Sequence, residues 1–247
     1  MSHILIIEDE PIIRSSVKRL LERNGYQVSE AGSVQEALDG PAPASFNLII
    51  SDLRLPGAPG TEIIQHAGTT PVLRVYRWPA RSASFGYASR WDNVCPTLSE
   101  GTAEAVRRWT GGGTVQHGDD LTYTLVLPEG AVAGLGGRSL GVYARAHQAL
   151  VDALLEAGVA ARLADDGTGL PGLPCFVQPA RHDVMVGARK LAGAGQRRTR
   201  AGILHQGSLR DEAAFVEVVL AMAARLGDCL VPLPPAVPGV EGRLVNV

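Results

Sequence analysis

Residues 107–117 read RRWTGGGTVQH. EAVRRW (104–109) has the makeup of a strand, and Gly111, Gly112 and Gly113 break it abruptly. Three glycines after a strand let the main chain approach a ligand closely and offer N–H groups to anionic oxygens without side-chain obstruction. A glycine run is equally the makeup of a flexible turn. Arg107 and Arg108 precede the loop, so one can face a site while the other faces solvent. Beyond His117, LTYTLVLP (121–128) alternates apolar and polar residues as a strand does. His117 with Asp119 and Asp120 fits no zinc spacing, and a polar turn between strands explains the three equally well.

Outward from this stretch the texture is mixed. LRVYRW (73–78) and SASFGY (82–87) read as two short strands around Pro79. Ser139 is placed to cap a helix whose Leu140, Tyr143, His147, Leu150, Val151, Leu154 and Leu155 form one face, with Gly158 past its end. VAARLAD (159–165) reads as a strand, and GTGLPGLP (167–174) as a turn-rich loop leading to Cys175. HDVMVGARKLAG (182–193) reads as a hairpin in which His182–Asp183 is the ordinary start of a strand. AGILHQGSL (201–209) is a further strand, Asp211–Leu226 a helix, and VPLPPAVPG (231–239) a surface tail. The hairpin carries Lys190, one of two lysines against twenty-one arginines. A lysine offers a compact ammonium on a flexible stem, able to reach one phosphate or carbonyl oxygen. Genome composition alone can also make lysine rare.

The first seventy residues have a different rhythm. HILIIEDE (3–10) is an apolar run ending in acids, and Pro11 opens a helix with Ile13, Val17, Leu20 and Leu21 at helical spacing and Gly25 at its end. Tyr26–Glu30 reads as a strand, Ser33–Asp39 as a capped helix, and FNLIISD (46–52) as a strand buried on both faces. Alternating strands and helices predict a doubly wound parallel sheet, with sites at the carboxyl ends of its strands. Glu8, Asp9 and Asp52 fall at such ends and would suit a hard cation such as Mg²⁺. They are equally readable as acids at the rim of a sheet fragment.

Two resemblances follow. IIEDEP (6–11) and LIISDLRLPGAPG (48–60) resemble the metal-binding acidic pair and the phosphoacceptor strand and loop of response-regulator receiver domains, which makes Asp52 the expected phosphoacceptor, Glu8 and Asp9 its metal partners and a histidine kinase a possible partner. The match covers residues 3–66. Tyr76 falls about where that family places a Ser or Thr, and no lysine follows except Lys190. RRWTGGGTVQH, LTYTLVLP, GARKLAGAGQRR (187–198) and ILHQGSL (203–209), in this order, resemble the lipoate–protein ligase and octanoyltransferase superfamily across residues 73–226. That resemblance implies that Arg108 and Gly111–Gly113 line an acyl and nucleotide pocket, that His117 sits near its mouth, and that Lys190 contacts the activated acyl group. Cys175, fifteen residues before Lys190, resembles the nucleophile of one octanoyltransferase group, and a small buried apolar residue is the equal alternative. The strand and helix that normally open this family are replaced here by the receiver-like segment, so the two patterns meet near Pro71–Leu73.

The expected architecture is thus α/β: a truncated doubly wound parallel segment over 1–71, then a mixed, largely antiparallel ligase-like domain over 72–247. The leading expectation is a ligase that uses ATP and lipoate, with Mg²⁺, to acylate a lysine of a lipoyl carrier domain or glycine-cleavage H-type protein through an acyl-adenylate. The alternatives are a Cys175-dependent octanoyltransferase drawing on acyl carrier protein, a phospho-accepting signalling module, and an inactive fusion. A net charge of −2 argues against a nucleic-acid partner. No run reaches the ~18 apolar residues that span a bilayer, and the amino terminus lacks a basic start. Cys95, Cys175 and Cys229 have neither metal-site nor disulfide spacing. These readings place the chain in the cytoplasm.

Overall fold

The computed structural model describes residues 3–52, 55, 57, 63–78, 81–118, 120–165 and 179–210, with short helical pieces between 218 and 226. Cys175, Asp119, Cys229, the proline-rich tail and most of the 211–226 segment lie outside the described residues. Twelve strands are described: β1 (His3–Ile7), β2 (Gln27–Ala31), β3 (Leu48–Asp52), β4 (Val72–Tyr76), β5 (Ser82–Phe85), β6 (Glu104–Arg107), β7 (Val115–Gln116), β8 (Asp120–Pro128), β9 (Ala161–Leu163), β10 (Val184–Val186), β11 (Arg189–Thr199) and β12 (Gly202–Arg210). Nine of them form one sheet in the order β2-β1-β3-β4-β8-β12-β11-β10-β9, and β6-β5-β7 form a small second sheet.

The amino-terminal rhythm produces the expected local structure. Pro11 opens the helix Pro11–Arg23, where its missing N–H costs nothing, and Gly25 closes it at φ +85°. Ser33 caps the helix Val34–Asp39 by accepting from the Glu36 N–H, while the Glu36 carboxylate accepts from the Gly32 N–H. β1, β2 and β3 pair in parallel. The carboxyl-terminal part is antiparallel throughout the large sheet.

The junction is a strand. β4 pairs in parallel with β3 on one side (Ile49↔Val72) and antiparallel with β8 on the other (Val75↔Tyr123). One buried cluster therefore runs from Ile4, Ile6, Val17 and Leu21 through Leu73 and Tyr123 to Val142, Leu150 and Leu154 of the helix Ser139–Glu156. The opposite face of the parallel strands packs Leu5, Ile7, Ile49 and Val72 against Val34, Ala37 and Ile63. Successive side chains of a strand point to opposite faces, which is why neighbours such as Ile6 and Ile7 enter different clusters.

LTYTLVLP is the strand that its alternation predicts, and β8 is buried on both faces. It lies mid-sheet, and its polar Asp120, Thr122 and Thr124 are bonded to neighbouring polar side chains rather than to water. In the helix Ser139–Glu156, Arg138 occupies the N-cap position without a side-chain cap bond, and Ser139 is already helical. Its buried stripe is Val142, Ala146, His147, Leu150, Val151 and Leu154, while Leu140 and Leu155 face solvent. The expected face thus holds at His147, Leu150, Val151 and Leu154, and Val142 and buried alanines complete it. Among the described residues no helix is long and apolar enough to cross a membrane.

Candidate functional site

A cleft opens between the small sheet and strands β4, β8, β11 and β12, with Trp78, Ser84, Arg108, His117 and Lys190 on its walls. Lys190 reaches it from the start of β11. There the pairing slips by one residue between Met185↔Lys190 and Val184↔Ala192, a β-bulge of the kind that re-aims a side chain. The Lys190 Nζ lies 2.7 Å from the Asp183 Oδ2, and their side chains are 7% and 1% exposed. Asp183 is held in turn. The Tyr143 hydroxyl donates to its Oδ1 at 2.6 Å and the Ala180 N–H to its Oδ2 at 2.6 Å. Burial, and then the charge of Asp183, push the Tyr143 phenol well above its ordinary value, so it stays a donor. A side chain at position 193 would place its Cβ 2.5 Å from the Lys190 Cε, so Gly193 is the residue that makes room for the ammonium.

Arg108 faces the cleft. Arg107 is exposed, lies over the Phe85 ring and donates to the Tyr87 and Ser89 carbonyls. Part of the triple glycine is engaged by the chain itself. The Gly111 N–H donates to the Gln196 carbonyl, while the carbonyls of Gly111 and Gly113 accept from the Arg108 guanidinium at 2.9 and 2.7 Å. The loop therefore stands behind Arg108 and fixes it, because the guanidinium has only donors and needs acceptors when half-buried. Gly195 lets this packing occur, since a Cβ there would lie 2.3 Å from the Gly111 carbonyl oxygen.

His117 sits in a hydrogen-bonded chain. Its Nδ1 is 2.8 Å from the Asp120 Oδ2 and its Nε2 is 2.8 Å from the Ser84 Oγ. Trp78 stacks on the imidazole, ring centres 4.4 Å apart and planes 12° from parallel. Burial pushes the Asp120 carboxyl up, but the hydrogen bond and charge of His117, the Ser208 hydroxyl and the Gly118 N–H outweigh it and hold the group below its usual value.

Away from the cleft, Glu8, Asp9 and Asp52 converge at the carboxyl ends of β1 and β3, with one ligand atom from each within 4.8 Å of the others. Burial raises the Glu8 carboxyl; the Glu10 N–H opposes this, and the charges of Asp52 and Asp9 add to it. Among the described residues this is the one group of His, Cys, Asp and Glu with metal-site proximity. Tyr76, at the end of β4, lines both the cleft and the cavity bordered by Glu8 and Asp52.

Residues 61–220 match the family model of the lipoyl protein ligase A/B catalytic domain. The chain belongs to this family. Residues 4–76 match the response regulator receiver domain, and the two matches overlap across β4. The chain is 32% identical over 147 residues to the octanoyltransferase LipM of Moorella thermoacetica, covering 57% of this chain and 54% of that protein. It is 30% identical over 179 residues to LipM of Kyrpidia tusciae, covering 69% and 63%. The chain thus spans between half and two thirds of the length of these relatives. Among solved structures, lipoate-protein ligase A bound with ATP superposes with a TM-score of 0.53 at 20% identity, over 66% of this chain and 73% of that one. Protein Ta0514 from T. acidophilum with bound lipoic acid gives 0.51 at 20% identity, over the same shares. These two show the fold of the ligase family.

Motif reading brought Arg108, His117 and Lys190 to one cleft and missed Ser84 on its wall and Asp183, Tyr143 and Asp120 behind its side chains. An acid at the mouth of the hairpin that carries a rare lysine was the available signal for Asp183. Tyr143 was hidden in an apolar helix face, and Ser84 in an unremarkable strand.

Proposed function

We propose that this chain moves an octanoyl group from a thioester donor, of the acyl-carrier-protein kind, to a lysine of a lipoyl carrier domain or glycine-cleavage H-type protein, through a thioester on Cys175. The observation that carries the reading is the commitment of the cleft's two cations. Arg108 donates to loop carbonyls and Ser84, so a nucleotide phosphate would have to displace those bonds. Lys190 is fixed by Asp183 with its ammonium at the cleft wall, where it can stabilise the oxygen of an acyl carbonyl as charge develops on it. The curated relatives named above are octanoyltransferases, which supports the same reading.

The second reading is ATP-dependent ligation of lipoate, favoured by fold relatives that hold ATP and lipoic acid. Incubation of the full chain with a carrier domain separates the two. Octanoyl carrier protein without ATP should acylate the carrier, and Cys175→Ala should abolish this. Acylation only from free acid plus ATP, untouched by Cys175→Ala, refutes the transferase reading.

The three converging carboxylates Glu8, Asp9 and Asp52 are hard oxygen donors that repel one another, and they suit a divalent cation such as Mg²⁺, which would offset that repulsion. A Mg²⁺-dependent rise in melting temperature should vanish in Asp52→Asn; an equal rise in both proteins rejects the site.

A further inference from the structure

We propose that Ser84, His117 and Asp120 form the proton-accepting chain that deprotonates the incoming lysine amine, with Ser84 as shuttle, His117 as acceptor and Asp120 as the positioning residue. The inference rests on the acyl-transfer reading above and adds the group that reading lacks. A lysine amine arrives as an ammonium at neutral pH and must lose a proton before it can attack a carbonyl. Among the described residues lining the cleft, Lys190 and Arg108 are cations with no acceptor, and no carboxylate reaches the wall. His117 is the one basic nitrogen there.

Its hydrogen bonds define which nitrogen is free. Asp120 is a buried carboxylate placed to accept from the His117 Nδ1–H, so in the neutral imidazole, the form that can take a proton, the Nε2 carries the lone pair. The Arg108 Nη1 donates to the Ser84 Oγ at 3.2 Å, which leaves the Ser84 hydroxyl proton for the Nε2. A hydroxyl oxygen has two lone pairs, and the second can take a substrate N–H. The proton then moves from the ammonium to the Ser84 Oγ as the Ser84 proton moves to the His117 Nε2. The free amine adds to the acyl carbonyl, the C–N bond forms, and the C–S bond breaks. One proton leaves with the thiolate as a thiol and the other leaves to water from the imidazolium, which Asp120 stabilises meanwhile.

The same three residues could instead suggest a serine nucleophile. The donation from Arg108 into the Ser84 Oγ argues against this, because it draws on the lone pair that attack would use. A buried carboxylate–imidazole pair is also weak evidence of a purely structural role, since well-packed apolar residues stabilise a core as well or better.

The test uses the full chain, octanoyl carrier protein and a lipoyl carrier domain, with peptide mass mapping. Ser84→Ala, Asp120→Asn and His117→Gly should each slow transfer to the carrier lysine by roughly 10²–10⁴-fold, the usual worth of general-base catalysis. Imidazole should restore the His117→Gly enzyme saturably, which a misfolded or merely loosened cleft would not show. Unchanged urea midpoints for Ser84→Ala confirm an intact fold. Absence of imidazole rescue, or transfer by Ser84→Ala within threefold of wild type, overturns the relay. An octanoyl ester mapped to Ser84 overturns it in favour of a nucleophile. A wild-type protein that forms no octanoyl-enzyme refutes the underlying reading, whereas a competent wild type with unaffected variants refutes the relay alone.

Discussion

Replacing Asp183 with Asn tests whether Lys190 is held by a buried charge. The carboxylate is 1% exposed and accepts from the ammonium, the Tyr143 hydroxyl and the Ala180 N–H. Removing one partner of a buried pair costs about 3–5 kcal/mol, because the other charge stays desolvated. Lys190 borders the cleft, where water can approach it, so the lower end applies and Asp183→Asn should cost about 3 kcal/mol, roughly a 150-fold shift in the folding equilibrium. Lys190→Met should cost a similar amount by orphaning the carboxylate. The double variant should cost about the same as either single one, because Asn and Met leave no unpaired charge and Asn can still accept from Tyr143. The coupling, about 3 kcal/mol, is measured by urea unfolding followed by tryptophan fluorescence. If the single costs add to within about 0.5 kcal/mol, the two groups are independent and the pair does not fix the lysine.

Gly193→Ala should lower activity and stability together. Its Cβ would lie 2.5 Å from the Lys190 Cε, 2.7 Å from its Nζ and 3.1 Å from the Asp183 Oδ1, so the ammonium has to shift against its buried carboxylate. Acyl transfer should fall by about 10²-fold, the usual result of a 1 Å misplacement, and the urea midpoint should fall as the pair loosens; full activity would show that the position of the ammonium is unimportant. The buried His147 sets an acid limit on stability. Burial lowers its pKa to about 4, while the unfolded chain titrates near 6.5, so between these values the unfolded state binds the extra proton and stability falls as pH falls. His147 alone should remove about 2 kcal/mol between pH 7.5 and 5, and the neighbouring His205, also lowered by burial, acts in the same direction. Urea midpoints across that range should slope less in His147→Gln, which keeps a donor for the His182 carbonyl; an equal slope would assign the acid sensitivity elsewhere.

Local sequence signals carried the elements well where the chain's own chemistry defines them. Pro11, Ser33 and Gly25 mark helix ends through their backbones, and Leu48, Ile49 and Ile50 announce a strand covered on both sides. Signals failed where tertiary partners decide. Thr122 and Thr124 look like solvent positions because a threonine usually is one, and only the neighbours Trp78 and Gln206 make them interior. Asp183 looks like a strand start because nothing local shows that Tyr143, forty residues earlier, will donate to it. The triple glycine was legible as a close-approach loop. What approaches it is the chain's own Arg108 and Gly195, which spacing along one segment cannot reveal.

The most consequential element is β4, which both family matches cover. A strand carries two hydrogen-bonding edges, and β4 gives one to the parallel strand β3 and the other to the antiparallel strand β8, so neither part of the sheet is left with an open edge there. Leu73 lies in the cluster that also holds Ile50 and Leu125, while Val72 belongs to the cluster of Ile7 and Ile49. Cutting the chain at residue 71 would therefore take β4 away from β3 and uncover Leu73 on the side where Ile50 pairs with it. The receiver-like segment accordingly forms the outer part of the large sheet. Its acidic trio and the cleft then adjoin at a common support, with Tyr76, at the end of that shared strand, lining both cavities.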